Sequence, residues 1–193
     1  MRETNTASPI ELLAPARDAE CGRAAIDCGA DAVYIGAPRF GARAAAGNSL
    51  EDIARLAEYA HKYWARVYVT LNTLLYDAEL EPARRMAWQV HEAGADGLII
   101  QDMGLLEGGL PPMPLIASTQ MHNHTPARVA FLEAIGIRRV ILARELTLDE
   151  IRDIRRAAPR VPRSQDPANP PIRRRFASRS PTSRSRRRAQ ARN

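Results

Sequence analysis

Short, almost continuously apolar runs alternate along this chain with longer stretches of helical spacing, and that alternation limits what it can fold into. The runs 32–36 (AVYIG), 67–71 (VYVTL), 98–100 within DGLIIQD, 115–118 and 140–143 carry few polar residues. As strands they need cover on both faces, which is the habit of parallel strands flanked by helices. Residues 10–13, ended by Pro15, read as a weaker first strand.

The intervening stretches carry helix punctuation. Ser49 and Asp52 have the spacing of a capping box, and Leu50, Ile53, Leu56, Ala57, Ala60 and Trp64 recur at helical intervals. Thr125-Pro126 supplies an N-cap with proline at the first helical position, and Gly136 supplies a stop. Thr147 and Glu150 form another capping box, while helices near 19–28 and 79–93 end at Gly29 and Gly94. Six βα units follow one another, which implies a parallel sheet with right-handed crossovers. Gly29-Ala30-Asp31 and Gly94-Ala95-Asp96 repeat at two units' distance, each closing a helix and launching a strand. The fold expected is an α/β, incomplete (β/α)8 TIM-like barrel, short of its eight units. A doubly wound sheet is the alternative, and no GxGxxG follows the first strand.

The net charge of +6 divides unevenly. Residues 161–193 contain ten Arg, five Pro, five Ser and one acid, Asp166, whereas residues 1–160 are mildly acidic. A segment of that composition cannot bury enough apolar surface to offset its ordering entropy. The division expected is a disordered N-terminus over 1–8, a partial barrel over 9–160 and a disordered basic tail over 161–193. Two cysteines exclude a disulfide scaffold. No apolar run is long enough to span a membrane, and residues 1–8 lack the apolar centre of a secretory leader, so a cytoplasmic setting is expected.

Ligands of parallel barrels sit at the C-terminal ends of the strands. The polar residues there are Tyr34, the loop 36–48 with Arg39 and Arg43, Asn72, Thr73, Gln101, Asp102, Ser118, Thr119, Gln120, Arg144 and Glu145. The competing reading is that they cap helices and close turns, which Asp102 and Thr119 could do. Three glycines and two arginines in the loop 36–48 suit a phosphate or another anion, so RNA or a small anionic ligand is the expected partner. Arg144 and Glu145, following an apolar strand, would be an ion pair or an acid/base element. His122-Asn123-His124 is a weak metal signal, and no metal site is expected. Cys21 and Cys28, seven residues apart on one helix, read as small core residues, and Trp64, Met86 and Trp88 as helix packing. No Gly-x-Ser-x-Gly, HExxH or Cys-x-x-Cys is present, so the sequence names no catalytic residue.

ELLAPARDAE (11–20), GADAVYIGAPRFGARAAAGNSLEDIA (29–54), VTLNTLLYDAELEPA (69–83), GLIIQDMGLLE (97–107), ASTQMHNHTP (117–126) and VILARELTLDEIRDI (140–154) together resemble the N-terminal domain of the peptidase U32 family, the collagenase-like proteins. GAPRFGARA, TLNT and ELEPA are most similar to the branch that hydroxylates a cytidine of 23S ribosomal RNA. The resemblance implies hydroxylation of a pyrimidine base in ribosomal or transfer RNA. Collagenase-like peptidase activity and a non-enzymatic binding fragment are the alternatives. It also implies a [4Fe–4S] cluster on cysteines of an E-x-F-x-x-G-A-L-C signature that this sequence lacks, so neither Cys21 nor Cys28 is carried over as a ligand. The similarity stops at Ala158, and the abrupt change to Arg, Pro and Ser suggests a frameshift or truncated gene product, inactive as it stands. A barrel short of two strands would leave edges at 10–13 and 140–143, and self-association through them is expected.

Overall fold

A computed structural model of the chain describes residues 11–42 and 47–159. Six parallel strands lie side by side in chain order. They are β1 (Leu13–Pro15), β2 (Ala32–Gly36), β3 (Arg66–Leu71), β4 (Gly97–Ile100), β5 (Leu115–Ala117) and β6 (Arg139–Val140). The helices α1 (Ala19–Asp27), α2 (Leu50–Lys62), α3 (Asp77–Glu92), α4 (Pro126–Ala134) and α5 (Leu148–Ala157) cover one face, and the whole is a half-barrel. The expected N-terminal segment 1–8 and tail 161–193 lie outside the described residues, as does Ile10.

Three departures from the expected elements have physical reasons. The first strand is Leu13–Pro15, not 10–13. Pro15 sits opposite Tyr34 in the ladder, and an end strand tolerates a proline. The β4–β5 crossover holds a 3-10 turn, Met103–Glu107, in place of an α-helix. Gly104, Gly108, Gly109, Pro111, Pro112 and Pro114 crowd that segment and oppose helix propagation. The last strand stops at Val140, shorter than 140–143, although Ile141 N still donates to Ala117 O at 2.9 Å.

The helix punctuation acts as its chemistry requires. Ser49 with Asp52, and Thr147 with Glu150, form reciprocal capping boxes on α2 and α5. Thr125 caps α4 ahead of Pro126. Gly29 and Gly94 adopt φ of 100° and 90°, left-handed values that favour glycine, and turn the chain from helix end to strand start. Trp64 lies past the end of α2 at φ 60° and is 91% exposed, so it does not pack with that helix. Cys21 and Cys28 are also exposed rather than core, because α1 turns Gly22 and Ile26 inward. A Cβ on Gly22 would lie 2.8 Å from the methyl groups of Leu56 of α2, so that side chain would have to shift to admit one.

Alternate residues of the strands serve two faces. Val33, Ile35, Val67, Val69, Leu71, Leu98 and Ile100 pack under the helices. Ala32, Tyr68, Ile99 and Ile116 form a second cluster on the concave face, joined by Leu13, Tyr34 and Ile141. At the base of that face, Glu11 ties together residues far apart in the chain. Arg139, at the start of β6, donates both terminal nitrogens to its carboxylate. Tyr68 Oη donates to it at 3.0 Å and Arg66 lies 3.4 Å away. Burial works most strongly against the Arg139 charge, but the hydrogen bond to Glu11, the charge interactions with Tyr68 and Glu11 and the hydrogen bond to Tyr68 together outweigh it, holding the guanidinium above its usual pKa. Arg139→Met should destabilise the domain by about 2–3 kcal/mol, somewhat less than a fully buried pair would lose because some solvent reaches it. Adding Glu11→Gln should recover part of that loss in urea denaturation, and full additivity of the two changes would refute the coupling.

Asp18, the N-cap of α1, accepts from Cys21 N at 2.9 Å and from Arg17 Nε at 2.8 Å. The Cys21 backbone bond first, then Arg17, hold its carboxyl down to about 2. A lowered carboxylate contributes stability above its unfolded pKa and loses it as pH falls through the folded value. Asp18→Asn keeps the cap and removes the charge. The stability gap between the two proteins should therefore be present at pH 5 and close as pH approaches 2, as read by thermal unfolding across pH.

Candidate functional site

Where the strands end, their loops are fastened to one another by side chains. After β2 the chain turns through Phe40, at φ 62°, whose carbonyl accepts from Thr73 N at 3.2 Å and Thr73 Oγ1 at 3.0 Å. A bulky residue in the left-handed region is strained, and these two bonds from the β3 loop hold it there. The next residue, Gly41, lies so close over β3 that a Cβ would come within 2.8 Å of the Thr70 carbonyl. Ala42 N then donates to Asn72 Oδ1 at 3.0 Å.

Asn72 carries the connection onward, its Nδ2 lying 3.4 Å from Ser118 Oγ at the end of β5. Ser118 Oγ also accepts from Gln120 N at 3.2 Å. Asn123, fully buried, donates from Nδ2 to Ser118 O at 2.8 Å and Ile141 O at 2.9 Å, clamping β5 to β6. Asp102, after β4, accepts from Leu75 N at 2.9 Å and Gly104 N at 2.8 Å and so ties β4 to the β3–α3 loop. The ends of β2 to β6 are thus one connected rim of hydroxyls, amides and a carboxylate.

Of the residues expected at this site, Asn72, Thr73, Asp102 and Ser118 are joined in the rim. Asp102 and Thr119 also take part in the 3-10 turns, Asp102 as the N-cap of Met103–Glu107 and Thr119 as the first residue of Thr119–Met121. Tyr34 is half-buried on the concave face, Gln101 is half-buried after β4, and Gln120 is exposed. Arg39 is exposed with its guanidinium 4.8 Å from the Phe40 ring centroid. Arg43 lies outside the described residues. Arg144 and Glu145 occupy an exposed turn beyond Val140 and form no ion pair with each other.

Two asparagines are central to this geometry: Asn48, the last residue of the loop 36–48 expected at the site, and Asn123, which was not among the expected site residues. Asn48 is buried and donates to Arg17 O at 3.0 Å and Gly36 O at 3.3 Å, binding the β1 and β2 ends together. Asn123 sits inside the His-Asn-His triplet, where the histidines draw attention to metal. His122 and His124 are both exposed, and the Asn between them is the structural element. Asn123 Oδ1 and Thr70 Oγ1 are buried acceptors with no hydrogen-bond partner, so the rim retains hydrogen-bonding capacity. Among the described residues, no three His, Cys, Asp or Glu side chains gather as a metal site would require. Outside the rim, a groove of about 620 Å3 runs between α1 and α2 past Arg23, Asn48, Arg55 and Tyr59. Asp52 and Glu58 on its wall are already paired with Arg55 and Lys62, so its charges serve the helices. Asn123→Ala should cost about 1–2 kcal/mol by removing the bond to the Ile141 carbonyl and leaving Ser118 O to Met121 N alone, and a urea midpoint equal to that of the unsubstituted chain would show that the clamp is unimportant.

The comparisons with known proteins agree with this architecture. The sequence pattern of Peptidase family U32 matches residues 17–162. The chain is 55% identical over 148 residues to the 23S rRNA 5-hydroxycytidine C2501 synthase of Escherichia coli (strain K12), covering 77% of this chain and 23% of that one. It is 37% identical over 153 residues to tRNA hydroxylation protein P of the same organism, covering 77% of this chain and 34% of that one. The chain therefore spans about a quarter to a third of these relatives' length. The solved structure of the U32 peptidase Mk0906 superposes with a TM-score of 0.63 at 13% identity, covering 84% of this chain and 69% of that one, and so supports the fold. The match over most of the described sheet and helices shows that this chain belongs to peptidase family U32.

Proposed function

We propose that this chain forms the nucleoside-binding part of an enzyme that hydroxylates a pyrimidine base in RNA, acting in the cytoplasm. The observation that carries this reading is the rim of neutral hydrogen-bonding groups beside an unpaired cation. Asn72, Ser118 and Gln120 offer the amide and hydroxyl chemistry that reads the edge of a polar ring. Arg39 has no carboxylate partner among the described residues and supplies a cation for a phosphate. Similarity to an rRNA and a tRNA hydroxylation protein supports RNA as the substrate class. Because the chain covers only part of those relatives, the complete activity is part of the proposal.

The thiols present do not fit the four-thiolate cluster that the resemblance implies. Cys21 and Cys28 are the two cysteines of the sequence, and both are exposed, Cys21 on the outer helix α1 and Cys28 at its C-cap. No step is therefore assigned to a cluster on this chain. The groups described here bind and orient a base and hold it away from solvent. The short end strands β1 and β6 also leave backbone edges through which copies of the chain would associate.

In cells lacking the gene, mass spectrometry of digested ribosomal and transfer RNA should show a pyrimidine nucleoside one oxygen atom lighter. Unchanged nucleosides in both RNA classes would contradict the reading.

A further inference from the structure

We propose that the mouth of this site carries a base-stacking platform for single-stranded RNA, made by Arg39 on Phe40 and by Tyr76. The proposal rests on the RNA reading above and names the residues that would grip the nucleotides next to the target base.

Three observations converge on this surface. The Phe40 ring packs on the core at one side and is covered by the Arg39 guanidinium at 4.8 Å. A planar cation stacked on a ring is already ordered, so a base settling on it loses little further entropy. Across the mouth, the β3–α3 loop exposes Leu74 at 72% and Tyr76 at 83%. Large apolar groups so exposed are costly unless something covers them. The two loops are also not independent. Thr73 fastens Phe40 through both of its donors, and Asp102 fastens Leu75, which immediately precedes Tyr76. The platform is therefore held at a fixed place relative to Asn72 and Ser118.

The chemistry favours nucleic acid over a peptide. Aromatic faces interleaved with an unpaired arginine match the alternation of bases and phosphates in a single strand. A duplex hides its base faces and could use the charge alone. The backbone strain at Phe40 also fits a site whose geometry is set by function.

The test is fluorescence anisotropy of a short cytidine-containing single-stranded RNA with the full chain, at near-physiological salt. Tyr76→Ala and Arg39→Lys are compared with Arg152→Ala, an exposed substitution on α5. All the proteins carry the Arg-rich segment 161–193, so its electrostatic contribution is common to them and cancels in the ratio of affinities. Tyr76→Ala should weaken binding by about 5- to 100-fold, the worth of one stacked base, without changing the salt dependence. Arg39→Lys keeps the charge but loses the plane, and should also weaken binding, while Arg152→Ala should not. Unchanged circular dichroism and melting temperature would show that the losses are local.

RNA binding that is indifferent to Tyr76→Ala and Arg39→Lys would overturn the platform alone. Equal competition by an unlabelled duplex RNA or by a gelatin peptide would also overturn it. A failure of the unsubstituted chain to bind single-stranded RNA would overturn the RNA reading, and the platform with it.

Discussion

A parallel sheet has to cover both of its faces, and the rest of this structure depends on how that is done. The convex face is covered in the ordinary way, by amphipathic helices whose apolar stripes meet Val33, Ile35, Val67, Val69 and Leu98. The concave face has no helices. It is filled by its own side chains, with Ala32, Tyr68, Ile99 and Ile116 almost wholly buried. Beneath them, the Glu11 carboxylate joins residues from before β1, from β3 and from β6. A charged group there is tolerable because Arg139, Arg66 and Tyr68 all meet it, and removing one partner would leave the others uncompensated. The ion pair spans 128 residues of chain and so links the first and last strands of the half-barrel.

With the base of the concave face held by charge, the opposite end of the strands is held by neutral groups. The division has a functional consequence. A carboxylate–guanidinium cluster at the strand ends would compete with an anionic ligand, whereas Asn72, Ser118 and Asn123 fix the loops with uncharged groups and leave the Arg39 charge to a ligand. Asp102 uses its two oxygens on backbone amides of Leu75 and Gly104, which confines its charge to the turn it organises. The strained turn at Phe40 is affordable only because Thr73 and the close approach of Gly41 to β3 hold it from two sides.

Much of the fold was legible because its signals are local. The apolar runs of β2 to β4, capping boxes at Ser49 and Thr147, and the Gly29 and Gly94 helix stops each act within a few residues, and these are found where they were expected. What was misread depended on packing between elements. Cys21 and Cys28 share a spacing with core residues, but Gly22 and Ile26 form the side of α1 that is buried, which leaves both cysteines outward. Trp64 continues a helical period that the chain leaves one residue earlier. In the site, Asn72, Asp102 and Ser118 were visible as polar residues at strand ends. Asn48 lay within the expected loop 36–48 but without its role, and Asn123 was not expected there, because their partners are backbone carbonyls 12 to 31 and 5 to 18 residues away, and no local motif marks such a bond. The early end of β6 at Val140, ahead of Arg144 and Glu145, is marked by no feature of the apolar run.

The central claim is that the strand ends form one mechanically connected rim, and native-state hydrogen exchange tests it most directly. The amides of Ala42, Leu75, Gly104 and Ala143, the last donating to Asn123 O at 3.2 Å, report on four separate hydrogen bonds of that rim. In a connected rim they open together, with a shared free energy, and Asn72→Ala lowers that value at all four. Four unrelated opening free energies, or an effect of Asn72→Ala confined to the Ala42 amide, would mean that the loops are separate and that no single site exists at this end of the sheet.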